Sequence, residues 1–199
     1  MEGTTVQGLN VILQNLSRLM VLRTLYHADE PVSGREVERR TGLSNRATML
    51  ALDDLVDIHA VNLEKRGRAN SYTLNRAHFL VARALRPAFD AEDMFWADVA
   101  RTVQRVVRPK PRAAIATGPL VRDEADYGGR ITLTILFQTG RARIKSLRSI
   151  QKLAERIRDR HSLTLDYQML DLNTMDKEEY DPLWRRVERE GILLFGTLP

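Results

Sequence analysis

The stretch from Ser33 to Leu74, SGREVERRTGLSNRATMLALDDLVDIHAVNLEKRGRANSYTL, admits few folds. Ser33 is an N-cap residue with Glu36 three positions on, a capping-box pattern that opens a short helix. Thr41-Gly42-Leu43 then breaks the helical pattern, and Ser44 caps a longer helix from Asn45 to about Asp57. Val61 to Glu64 and Ser71 to Leu74 read as paired strands around a Gly-containing tip, Lys65-Arg66-Gly67-Arg68. Upstream, residues 8–27 place Leu13, Leu16, Leu19, Met20, Leu22 and Leu25 on one helical stripe, and Asp29-Glu30-Pro31 stops it.

Leu43 of the turn and Ala51, Leu52 and Leu55 of the longer helix supply a buried face, which turns Asn45, Arg46, Met49 and Leu50 outward. An arginine can donate two hydrogen bonds to guanine, and an asparagine can read adenine or bind phosphate. Met49 can touch a thymine methyl or pack on the preceding helix. Lys65, Arg66 and Arg68 at the hairpin tip, with Arg35, Arg39 and Arg40 nearby in sequence, supply phosphate neutralisation. Helix, turn, helix and basic hairpin in this order resemble the winged helix-turn-helix modules of bacterial transcription regulators, over about residues 10–75. The resemblance implies double-stranded DNA as partner. The candidate DNA-binding residues are Arg35, Arg39, Ser44, Asn45, Arg46, Met49, Lys65, Arg66, Arg68 and Asn70. The chain departs from the winged-helix pattern at His59, a position where glycine is common.

Composition sets outer bounds. Net charge is +5 and 29% of residues are charged, which suits a polyanionic partner without demanding one. The absence of cysteine excludes disulfides, thiol nucleophiles and Cys-ligated zinc. The four histidines are scattered, and no metal site or cofactor is expected. The first twenty residues lack a basic segment leading into an apolar run, so a cytoplasmic protein with no membrane association is expected.

A third helical region is expected from about Arg76 to Arg108, with Leu80, Ala84, Phe95, Val99, Val103 and Val106 at helical spacing and a break at Pro87. Its helices, between about Leu80 and Val107, are candidates for a dimer surface. The run Arg108-Pro-Lys-Pro-Arg112 forbids helix and reads as a boundary. Beyond it, Ala113–Thr117, Ile131–Phe137 and Leu163–Leu170 read as strands. Ile144–Arg160 reads as a basic amphipathic helix, and Asp181–Glu190 as a helix before an ILLF strand.

This half resembles the minimal nucleotidyltransferase superfamily, whose strand, Gly-Ser turn, Asp-x-Asp strand and third carboxylate assemble a divalent-metal site. Gly118, Arg122 and Glu124 match the family positions, and Asp166 in LTLDYQML matches the third carboxylate. Leu183 to Gly196 resembles the closing helix and strand. Pro119 replaces the phosphate-binding serine, while Arg130 and Thr132 stand where the two aspartates belong. Mg²⁺ prefers carboxylate oxygens, and an arginine in their place repels it. The resemblance therefore implies an inactive domain in which Arg130 pairs with Asp166 or binds an anion. Gly118, Arg122, Arg130 and Asp166 are the candidates for holding a nucleotide or other anionic effector.

The expected protein is α+β: a winged helix-turn-helix domain (1–76), a helical connector (77–110) and a nucleotidyltransferase-like α/β domain with a mixed sheet (111–199). The expected function is sequence-specific DNA binding as a homodimeric transcription regulator, without enzymatic activity. An active nucleotidyltransferase and an antitoxin-type regulator that docks a partner protein are the alternatives.

Overall fold

The computed structural model describes residues 8–66, 69–122, 129–175, 185, 187 and 189–197. The chain divides into two compact units, Met1–Asp93 and Met94–Pro199. The first is a winged helix-turn-helix and the second an α/β unit around a mixed sheet, so the fold is α+β as expected.

In the first unit the stripe over 8–27 is two helices rather than one. α1 (Gly8–Leu13) ends before Asn15, whose side chain accepts from the Ser17 and Arg18 amides at 2.9 and 3.4 Å and caps α2 (Leu16–Tyr26). A short amide side chain competing for local backbone donors interrupts a helix whose apolar spacing runs on. β1 (Val32–Ser33) leads into α3 (Gly34–Thr41), and Ser33 Oγ accepts from the Glu36 amide at 3.2 Å. Gly42 closes α3 in the left-handed conformation, φ 69°, where a side chain would be strained.

Ser44 caps α4 (Asn45–Asp57), accepting from the Ala47 amide at 3.3 Å. β2 (Val61–Arg66) and β3 (Ala69–Leu74) form the hairpin, and β1 pairs with β3 to complete a three-stranded antiparallel sheet. Val21, Leu22 and Leu25 of α2, Val37 of α3, Ala51, Leu52 and Leu55 of α4, and Tyr72 of β3 close one core. Arg18 of α2 holds Asp54 of α4 through Nε and Nη2 at 3.0 and 2.6 Å, fixing the longer helix against the scaffold.

Pro87 does not break its helix. A widened π turn over Val81–Leu85 runs straight into α5 (Arg86–Asp93), with the Arg86 amide donating to the Val81 carbonyl. Proline lacks the amide that an α turn would use, and the wider turn absorbs the misfit. The interruption falls instead at Met94, before α6 (Phe95–Val106). Val81, Leu85 and Phe89 enter the first core, while Val99, Val103 and Val107 enter the second. The stretch 77–110 is thus shared between the two units.

In the second unit β5 (Arg130–Phe137) lies between antiparallel β4 (Ala113–Thr117) and parallel β6 (Thr164–Asp171), and β7 (Ile192–Phe195) pairs antiparallel with β4. The link from β5 to β6 is helical but not one helix. α7 (Gly140–Lys145) and α8 (Leu147–His161) meet at buried Ser146, whose hydroxyl donates to the Arg143 carbonyl at 2.7 Å. α9 (Leu172–Met175) follows β6. Of the helix expected over 181–190, residues 185, 187, 189 and 190 are described and helical; the remainder lies outside the described residues.

The period of two along β5 divides the sheet faces. Ile131, Leu133, Ile135 and Phe137 pack on Val99 and Val103 of α6 and on Ile150, Leu153 and Ile157 of α8. Arg130 and Thr132 point to the other face.

Candidate nucleic-acid interface and the second sheet face

The outward surface of α4 is built as its periodicity demands. Asn45, Arg46 and Leu50 are exposed, Leu50 at 55%, while Thr48, Ala51, Leu52 and Leu55 are buried beneath them. Arg46 and Arg35 have no hydrogen-bond or ionic partner among the described residues, so both guanidinium groups face solvent. Asn45 Nδ2 donates to Glu38 Oε2 at 2.8 Å across the turn, so one of its donors is held by α3. Met49 is half-buried and packs on the core, and a Cβ on Gly34 would lie 3.3 Å from its Sδ.

Asp53 and Asp57 continue the exposed side of α4. Their charge opposes phosphate, so only the first turns of this helix suit a groove. That restriction was readable in the sequence from their spacing to Arg46. The clamp from Glu38 to Asn45 was not, because it depends on how α3 and α4 cross.

Arg39 and Arg40 turn back along their own helix. Arg39 Nε and Nη2 donate to Glu36 at 2.7 and 2.6 Å, and Arg40 Nε donates to the same carboxylate at 2.7 Å. These bonds hold the Glu36 carboxyl down at about 2. The capping box is thus half made: Ser33 caps, but Glu36 serves the arginines three and four positions on. Lys65 and Asn70 are exposed partners across the hairpin. Arg68 and the side chain of Arg66 lie outside the described residues.

On the second sheet face the register gathers the positions singled out by the nucleotidyltransferase resemblance. Thr132 stands opposite Thr117 on β4 and Asp166 on β6. Gly118 follows with φ 95°, and a Cβ there would lie 3.4 Å from Thr132 Oγ1. Arg130 Nη1 donates to both oxygens of Asp166, at 3.3 and 3.1 Å. Arg122 Nη1 donates to Glu190 Oε2 at 2.9 Å. Both arginines therefore already hold a carboxylate. Among the described residues no group of three or more His, Asp or Glu side chains is placed to hold a metal ion. Asp123, Glu124 and Asp126 lie outside the described residues.

A further titratable cluster joins α6 to α8. Arg160 holds Asp98 through Nη2 at 2.9 Å, and this pair keeps the Asp98 carboxyl at about 2. Buried His161 places Nε2 3.3 Å from Asp98 Oδ2 without the alignment of a hydrogen bond, its ring edge-on to Phe95. Burial lowers the His161 pKa against the opposing pull of Asp98.

No protein-family model matches the chain, and neither does any curated protein. Among solved structures, likenesses include the homodimeric winged helix-turn-helix DNA-binding domain Mb0332 from Mycobacterium bovis, described as a possible ArsR-family regulator. It is 21% identical, with 47% of this chain and 92% of that one covered at a TM-score of 0.35. Reduced HlyU from Vibrio cholerae is 28% identical, covering 39% and 81% at 0.32. A toxin–antitoxin with AMP-PNP is 18% identical, covering 51% and 73% at 0.35. Likenesses at these TM-scores carry no functional argument. Among the described residues no helix is long and apolar enough to cross a membrane.

Proposed function

We propose that the chain binds double-stranded DNA with sequence preference and regulates transcription as a homodimer, each protomer reading one half-site. The observation that carries this reading is the first turn of α4. There Arg46 is exposed and unpaired on a helix whose opposite face is locked into the core, with Arg35 and Lys65 also exposed in the same unit. Arg46 supplies base readout, and Lys65, Arg66 and Arg68 supply backbone contact. The test is binding to a duplex site selected from a random pool, compared with random duplex. Arg46→Ala is expected to reduce the preference for the selected site, by about 1–3 kcal/mol of discrimination. Equal loss on both duplexes would remove Arg46 from the base-reading role.

The second unit, in this proposal, does not perform nucleotidyl transfer and serves sensing or assembly. Supporting this, Asp166 is already held by Arg130, and Thr132 brings no carboxylate to its side. An anionic effector on this face would compete with Asp166 for Arg130 and with Glu190 for Arg122. Incubation with labelled nucleoside triphosphates and Mg²⁺ is expected to transfer no label. Transfer that disappears in Asp166→Ala would establish an enzyme instead.

A further inference from the structure

The second unit treats its arginines in two ways. Arg101 and Arg160 meet Asp98, Arg130 meets Asp166, and Arg143 meets Asp171, each across 2.5 to 3.3 Å. Arg141, Lys145, Arg148 and Lys152, along α7 and the first half of α8, are all exposed and have no carboxylate partner among the described residues. Arg141 and Lys145 are four residues apart on α7, and Arg148 and Lys152 four apart on α8, so each pair stands about 6 Å apart along one side of its own helix.

A second basic segment is fastened beside them. The Arg108 amide donates to Ser149 Oγ at 3.0 Å, and that hydroxyl also lies 3.1 Å from the Arg108 carbonyl oxygen. These bonds pin the loop that carries Arg108 and Lys110 against the first turn of α8. Arg108 spends part of its guanidinium on the Gln104 and Val107 carbonyls, at 2.8 and 2.7 Å, and none of it on a carboxylate among the described residues. Acidic side chains return only further along α8, at Glu155 and Asp159, the latter 3.9 Å from Arg158. Arg156 continues the exposed row but stands beside Glu155 and near Asp159, so the cations without acidic neighbours along α8 are those of its first half, where the backbone dipole is also positive.

We propose that this patch, made by Arg108, Lys110, Arg141, Lys145, Arg148 and Lys152, is a second nucleic-acid surface that binds the phosphate backbone of duplex DNA. The inference rests on the DNA-binding reading and extends it to the α/β unit, whose part there is sequence-independent affinity. Charge complementarity selects the occupant. Closely spaced cations with no carboxylate partner among the described residues match a polymer carrying a negative charge about every 1.7 Å. Exposed Ile144 and Leu147 flank the patch, which makes an anionic membrane surface the competing occupant for the experiment to separate.

The experiment uses the full chain and a labelled random-sequence duplex, with affinity followed across a salt titration. Lys145→Ala/Arg148→Ala/Lys152→Ala is expected to reduce the salt slope by about 2–3, roughly 0.9 for each phosphate that is no longer neutralised. Its ratio of selected-site to random binding should stay near that of the parent chain. Arg46→Ala should do the opposite, losing the ratio while changing the slope by less than about 1. An unchanged slope in a triple variant that melts like the parent overturns the second surface and leaves the DNA-reading helix standing. No binding of any duplex by the parent chain overturns both. An unchanged slope together with lost sedimentation on phosphatidylserine vesicles assigns the patch to a membrane and likewise overturns the proposal. If the triple variant fails to fold, Arg108→Ala/Lys110→Ala reads the same slope from the loop, with a reduction of about 2 expected.

Discussion

At His59 the chain uses an imidazole where the backbone favours glycine. Its φ is 58°, and the surrounding bonds are those of a Schellman-type helix end: the Ala60 amide reaches the Leu55 carbonyl at 2.9 Å and the His59 amide reaches Val56 at 2.9 Å. A Cβ in this conformation costs roughly 1–2 kcal/mol. His59→Gly is therefore expected to raise stability by up to about 1 kcal/mol, the entropy of the freer unfolded glycine offsetting the rest. A chemical-denaturation midpoint that falls instead would show that the imidazole has a role of its own. The residue type at this position was legible as a departure from the winged-helix pattern, but its dihedral was not. Met49 teaches the same lesson: its outward assignment followed from spacing, and the close approach of Gly34 decided that it packs.

At the scale of elements, α6 and α8 are joined by a pH-dependent pair of contacts. Burial lowers the folded-state pKa of His161 below its ordinary value, so on acidification the unfolded chain takes up that proton first. The stability tied to neutral His161 is complete above about pH 6.5 and declines as pH falls toward the folded value. Asp98 and Glu36, both held at about 2, contribute stability that is present above their ordinary values of 3.8 and 4.5 and lost toward pH 2. Thermal melting is expected to show two stages of decline on acidification, and His161→Phe should flatten the upper one. Persistence of the upper stage in that variant would assign it elsewhere.

Element existence was largely readable because caps and apolar periods are local signals. Ser33, Ser44 and the ITLTILF strand sit where their sequence puts them. The breaks at Asn15 and Ser146 were hidden inside good helical stripes. The break assigned to Pro87 was absorbed by a π turn, a geometry that single-residue preferences do not encode.

At the scale of the molecule, each unit is built on a main core of its own. Leu52, fully buried in the first, and Phe137, fully buried in the second, each sit among side chains of several elements. Leu52→Ala should cost about 2–5 kcal/mol and Phe137→Ala about 3–5 kcal/mol, because cores relax only partly around a missing side chain. Hydrogen exchange should place each loss in the unit that holds the residue. Loss of protection spread equally through both units would show that they unfold together. For the homodimer proposed above, exposed Phe79 and Met94 offer apolar surface within the stretch expected to dimerise. Phe79→Glu should shift sedimentation toward the monomer.

The sequence by itself determined what depends on neighbours along the chain: the caps, the outward position of Arg46, the basic hairpin, and the replacement of two acids by Arg130 and Thr132. Only the tertiary structure decided which charges are already satisfied. Arg130 is bound to Asp166, Arg122 to Glu190 and Arg160 to Asp98, whereas Arg46, Arg141, Lys145, Arg148 and Lys152 meet no carboxylate among the described residues. Side-chain charge is written in the sequence. Its partner is set by helix crossing and strand register, which bring together residues that lie far apart along the chain.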